Sequence, residues 1–346
     1  MTSAVSAEGL RQRSGDSTSY GTFYPKRRST MPRLQFLLPL TPYPYQGAPV
    51  PCCLCGSAQG QVVSRWDRRV KKLTTVCCTQ CGMVRTDPMP SESELNAYYG
   101  GEYRLDYQMA SDRPPERHIL KSRREAHRRR DLMIPGLKAG DAVLDFGSGS
   151  GEFVAAMKEA GYRAKGLEPG VTYATWSSKE YGIEIENAPY GVAAIEPGSL
   201  NLVTAHHVIE HLRDPFDAFK TIHRWLAPGG LFYISVPDIT SPSKPTFERF
   251  HFAHIWGFAP ATLEMMGLKA GFTLDPRFSI NDPTTMVFAK KDPAPKEWFI
   301  YPDAAKRILA TLPETSMRRH VLSGAWAAPM VAKARRYLRD GKALRG

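Results

Sequence analysis

A run of short strands alternating with helices, opened by AVLDFGSGSGEF at 142–153, constrains this chain more than any other feature. The apolar and β-branched residues of 142–146 read as a strand. Glycines at 147, 149 and 151 interrupt it, and a helix runs from about Glu152 to Ala160. Strand RAKGLE (163–168), a helix (172–181), strand IEIEN (183–187), strand NLVTA (201–205), a helix over 215–226 and strand LFYISVP (231–237) follow. A helix over 260–271 precedes a closing strand pair, FTLDPRFS and TTMVFAKK. Strands separated by helices pair in parallel through crossovers. The expected fold class is therefore α/β, a mostly parallel sheet with helices on both faces.

Glycines between a strand and a helix let the backbone take positive φ and approach a ligand, and the helix start offers unpaired N–H groups. A dinucleotide site would need Gly-x-Gly-x-x-Gly. Counted from Gly147, its third glycine falls on Glu152, whose carboxylate would face a pyrophosphate unfavourably. The pattern here is Gly-x-Gly-x-Gly, which makes Gly147, Ser148, Gly149 and Gly151 candidate ligand contacts. Asp145, just ahead of it, can face the cationic amino group of a methionine moiety. Glu168 ends the next strand, where a carboxylate can accept hydrogen bonds from both ribose hydroxyls.

These pieces resemble the class I S-adenosylmethionine-dependent methyltransferases. VLDFGSGSG, GLEP, HHVIEHLRDP and LAPGGLFYISVP agree with that family in order and spacing over about 150 residues. The resemblance implies a Rossmann-like seven-stranded sheet whose last strand is antiparallel, S-adenosylmethionine as cofactor, and a methyl-transfer site after the fourth strand. It places Asn187 and Ala188 along the adenine. Asn201 departs from the family's usual Phe-Asp, at a structural position.

All six cysteines fall between Cys52 and Cys81. Clustering of this kind argues for metal rather than a disulfide scaffold. Cys52-x-x-Cys55-Gly and Cys78-x-x-Cys81-Gly flank residues 56–77, 22 in all, and two such knuckles can turn four thiolates on one zinc. Four thiolates leave the ion no open position, so its expected role is structural. Cys53 and Cys77 read as small hydrophobes. The module, with Met83-Val84, Asp87-Pro-Met-Pro and Tyr98-Tyr99 after it, also resembles the N-terminus of methyltransferases acting mainly on sugars and other small polar molecules.

His206, His207, Glu210 and His211 follow the fourth strand, at the carboxyl edge where open α/β sheets bind ligands. Imidazole suits removal of a substrate proton near neutral pH. His207 is the candidate base, His206 a cofactor neighbour that can also act, and His211 a further candidate whose bland reading is packing. The Glu-His pair also resembles divalent-metal-assisted quinone O-methyltransferases. Those carry extra carboxylates where this chain has His206 and His207. His251 and His254 are secondary candidates, in a loop that covers the substrate in the family.

The expected organisation is a disordered tail (1–48), a zinc-binding module (49–90), a helical linker (91–140), the methyltransferase domain (141–292) and a basic helical extension (293–346). Apolar runs are too short to span a membrane and no secretory signal is evident, so a cytoplasmic location is expected. A net charge of +12 suits anionic partners in general, and keeps RNA methylation open as an alternative to a small acceptor such as a sugar or glycan precursor. A non-catalytic binding protein on the same fold is the other alternative.

Overall fold

The computed structural model of the chain describes residues 40–99, 113–243, 246–291 and 298–313. Most of the expected N-terminal tail, part of the linker and most of the C-terminal extension lie outside these residues. Within them the elements are β1 (Gly60–Trp66), β2 (Lys72–Cys78), β3 (Val84–Thr86), α1 (Glu92–Ala97), α2 (Glu116–Met133), β4 (Ala142–Phe146), α3 (Glu152–Glu159) and β5 (Arg163–Leu167). Then come α4 (Val171–Tyr181), β6 (Glu184–Glu186), β7 (Leu200–His206), α5 (Pro215–Trp225), β8 (Leu226–Ser235), β9 (Trp256–Gly257), α6 (Pro260–Lys269), β10 (Phe272–Leu274), β11 (Thr285–Lys290) and α7 (Ala304–Ala310).

Seven strands form one sheet in the order β10-β11-β8-β7-β4-β5-β6. The pairs from β8 to β6 are parallel, and β11 runs antiparallel to both β8 and β10. The fold is thus the expected α/β Rossmann-like sheet. Alternate residues of each strand serve opposite faces. Val143, Leu231 and Tyr233 pack with Ala126 and Met133 of α2 and Phe153 and Met157 of α3. Leu144, Phe232 and Ile234 pack on the other face with Phe219 and Trp225 of α5 and Leu263 and Met266 of α6. Asn201, at the β7 entrance, accepts the Ala142 N–H through its side chain (2.9 Å), tying β7 to the first residue of β4.

The cysteine module is a second, four-stranded antiparallel sheet, β1-β2-β3-β9, whose last strand comes from far along the chain. Residues 40–48, read from sequence as tail, are fitted onto it. Tyr43 is buried, stacks on Phe252 at 4.7 Å and donates to Asp67, and Ala48 bridges to Met89. Their tyrosines and prolines find partners that lack any local periodicity. Among the described residues no helix is long and apolar enough to cross a membrane.

Candidate functional site

Gly147, Gly149 and Gly151 all adopt left-handed φ, at 75°, 54° and 83°. A Cβ on Gly147 would lie 2.5 Å from Val208 Cγ2, and one on Gly151 would lie 2.7 Å from Ser177 Cβ, so glycine is forced there twice over. Gly149 faces open space. The turn lies beside the β4–β7 boundary, where the strand order reverses, the usual ligand crevice of such sheets.

Glu168 is buried at the end of β5. Its Oε2 accepts the Gly149 N–H (3.0 Å) and its Oε1 the Gly170 N–H (2.9 Å). Asn187 donates to the Glu168 carbonyl (2.8 Å), and Ala188 packs at the rim of the core. Ser148 is buried and its Oγ has no hydrogen-bond partner. The glycines, Glu168, Asn187 and Ala188 therefore gather on one side of the turn. Asp145 sits beneath it, its Oδ1 accepting Thr204 Oγ1–H (2.6 Å) and Arg129 Nη1–H (3.3 Å). Arg129, from α2, lies over the Phe153 ring at 4.3 Å. Sequence reading missed Arg129 because it stands in a run of solvated-looking arginines.

The two histidines leaving β7 diverge. His206 turns inward, with its Nδ1 buried and without a partner, and its ring is stacked toward Tyr233. His207 takes φ 55°, and its side chain is 49% exposed with Nδ1 3.5 Å from Glu210 Oε1. Glu210 is buried and also faces His211 Nε2 (3.8 Å) and His254 Nε2 (3.7 Å). Burial alone would push its carboxyl up, but the surrounding His211, His207 and His254 outweigh this and hold it down at about 2. His211 Nδ1 lies 2.8 Å from the Ala253 carbonyl and 3.0 Å from Tyr99 Oη, which fixes the ring. One donor atom from each of Glu210, His211 and His254 lies within 4.8 Å of the others, a spacing that a divalent cation would accept.

In the cysteine module, Gly56 and Gly82 take φ 77° and 83°. Each donates its N–H back to the first cysteine of its pair, Gly56 to Cys52 (2.8 Å) and Gly82 to Cys78 (2.9 Å). The two knuckles are therefore alike, and the Sγ atoms of Cys52, Cys55, Cys78 and Cys81 lie within 4.8 Å of one another. Cys53 and Cys77 stand outside this group. Burial pushes the Cys53 thiol well up, and the Cys77 thiol up to about 12.

Residues 117–276 match a family model described as a methyltransferase domain. The chain is 33% identical over 103 residues to a ubiquinone biosynthesis O-methyltransferase of Ralstonia nicotianae, covering 28% of this chain and 43% of that protein. It is 29% identical over 136 residues to the C-methyltransferase NovU of Streptomyces niveus, covering 37% of this chain and 32% of that protein. A solved S-adenosylmethionine-dependent methyltransferase from Mesorhizobium loti aligns with a TM-score of 0.36 at 17% identity, covering 47% of this chain and 95% of that one. The chain spans less than half the length of each of these two curated relatives. The matched stretch begins inside α2 and resembles a methyltransferase domain.

His206, His251 and His254 are each held well below the ordinary imidazole range by burial first. Next in size are Arg129 for His206, His254 for His251 and His211 for His254. The unfolded chain takes up these protons near pH 6.5 and the folded chain resists them, so stability is full above that pH and is lost as pH falls below it. The Glu210 contribution is intact until pH drops below the ordinary glutamate value, so it does not enter this window. The melting temperature should therefore fall between pH 7 and 5.5, each histidine contributing at most about 1.4 kcal/mol per pH unit. A flat melting profile across that range would contradict neutral, buried imidazoles.

Proposed function

We propose that this protein transfers the methyl group of S-adenosylmethionine to a small polar acceptor, a sugar or a glycan or natural-product precursor. The observation that carries the reading is the Gly147–Gly151 turn with Glu168 closing over it, at the reversal of strand order. S-adenosylmethionine supplies an electrophilic methyl on a sulfonium. The open side of Gly149 would admit the donor, and the Glu168 carboxylate would be the acceptor for its ribose hydroxyls. Asn187 and Ala188 line the adenine side, and Asp145, with Arg129 bound to it, closes the floor.

His207 acts as the general base toward the acceptor. The carboxylate of Glu210 behind its Nδ1 orients the ring, leaving Nε2 for the acceptor proton. His206 is the cofactor-side neighbour, and His211 holds the Glu210 cluster against Ala253 and Tyr99. A cavity of about 360 Å³ lies between module and domain with His254 on its wall, a size that suits a small acceptor.

The four clustered thiols fit a structural zinc. A tetrahedron with bonds of about 2.3 Å has edges of about 3.8 Å. The Cys52–Cys81 and Cys55–Cys78 pairs stand at 3.5 Å. The purified protein should hold one zinc per chain, measured by elemental analysis. Cys53→Ala should leave it in place and Cys78→Ala should release it. A metal-free protein that remains folded would remove the assignment.

Glu168→Ala should weaken donor binding by about 1–3 kcal/mol in calorimetry, because charged hydrogen bonds are lost. Unchanged affinity would sink the ribose role.

His207→Ala should slow single-turnover methyl transfer by about 10²–10⁴-fold with donor affinity preserved. A loss below about tenfold would mean that catalysis rests on proximity alone.

A further inference from the structure

The cavity between the two sheets is walled by Arg68, Thr75 and Arg85 from the module and by Asp238, Arg249 and His254 from the domain. Arg85 lies at the centre of β3, opposite Val76 of β2 and Trp256 of β9, and is 3% exposed. Its Nε and Nη1 have no hydrogen-bond partner. Among the described residues, no carboxylate lies within ion-pair distance of it. Thr75 Oγ1, on the adjoining strand, is likewise buried without a partner.

The other polar groups of the wall are already engaged. Arg249 Nη1 donates to the carbonyls of Ile239 (3.0 Å) and Thr311 (2.9 Å). Asp238 Oδ1 accepts from the Thr240 N–H (2.8 Å) and hydroxyl (2.6 Å). Arg68 and Glu248 have partners of their own. A guanidinium cannot shed its proton as a buried lysine can, so burial without a counter-charge is costly and has no titration escape. Its planar fork fits a carboxylate or a phosphate through two parallel bonds. One wall of the cavity abuts the histidine cluster around Glu210. His254 lines it, stands 3.7 Å from Glu210, and Glu210 stands 3.5 Å from His207.

We propose that this cavity binds an anionic oxygen group of the acceptor, a phosphate or a carboxylate, through Arg85 with Thr75 as second donor. Assigning that group to the acceptor rests on the methyl-transfer reading; the anion site itself does not.

The test uses the full chain at low ionic strength. Melting temperature and calorimetric affinity are measured with inorganic phosphate, pyrophosphate and acetate for wild type, Arg85→Met and Arg85→Lys. Phosphate or pyrophosphate should raise the wild-type melting temperature if the acceptor is phosphorylated, and acetate if it carries a carboxylate. Arg85→Met should lose anion affinity at least tenfold. Without anion it should melt no lower than wild type, since an uncompensated charge has been removed. Arg85→Lys should keep weaker binding. Should Arg85→Met fail to fold, Thr75→Val takes its place and should weaken anion binding severalfold. The proposal is overturned if no anion stabilises the wild type, or if the folded variant binds anions as wild type does. S-adenosylmethionine affinity should be the same in every variant. Loss of donor binding by the wild type itself would end the methyl-transfer reading and leave the anion site standing.

Discussion

The passage from β4 into α3 turns sharply while two other segments press on it, and the rest of the site follows from that crowding. Val208 sits against the space where a Gly147 side chain would be, and Ser177 and Ile183 sit against that of Gly151. Only glycine lets the exit of β7 and the helix α4 close on the turn at once. Val208 directly follows His206 and His207, so the bare face of Gly147 also sets where the two imidazoles stand. Gly149 has the same left-handed backbone, but a Cβ there would meet nothing within 4 Å. Packing as well as backbone conformation thus excludes a side chain at two of the three positions.

The cysteine module is fastened to the methyltransferase domain at several independent points. β9 completes its sheet, and α7 lies against the second knuckle, where Gly82 leaves room for Ile308 and Ala305. Lys269, at the end of α6, donates to the Leu54 carbonyl (2.7 Å) and lies over the rings of Phe216 and Trp298, at 4.1 and 5.1 Å. These contacts set the Lys269 ammonium against carbonyl oxygens and aromatic faces at the junction. The module supplies one wall of the cavity, through Arg68, Thr75 and Arg85.

Much of the domain was legible because its signals are local. Strands β4, β7 and β8 are short, mostly apolar runs bounded by glycine, proline or charge, and each knuckle is five consecutive residues. What was not legible depends on pairing across the fold. Arg129 meets Asp145 only because α2 crosses the β4 end of the sheet. Arg85 reads as an ordinary strand residue until β9, two residues long and 171 positions further on (Trp256 against Arg85), covers it. The β8 strand begins at Leu226 rather than at residue 231, because Leu226 pairs with Leu200 ahead of the Pro-Gly-Gly irregularity. Glu210 and His211 were visible as a pair, but their partners Ala253 and His254 arrive from a loop with no periodicity to announce it.

Period-two alternation alone predicts that His206 and His207 point to opposite sides, and the backbone adds a reason for the difference. His207 takes a left-handed φ, which costs a residue with a side chain roughly 1–2 kcal/mol. The conformation is held by its N–H, which donates to the Ser235 carbonyl (2.9 Å), and by the Glu210 carboxylate behind the ring. Strain kept at the ligand edge of a sheet marks a geometry that packing alone would not choose. The two rings are chemically unlike as a result. Burial and Arg129 both oppose a proton on His206. His207 is half exposed, with its Nδ1 3.5 Å from the buried Glu210 carboxylate, and the proposed base role rests on that contrast.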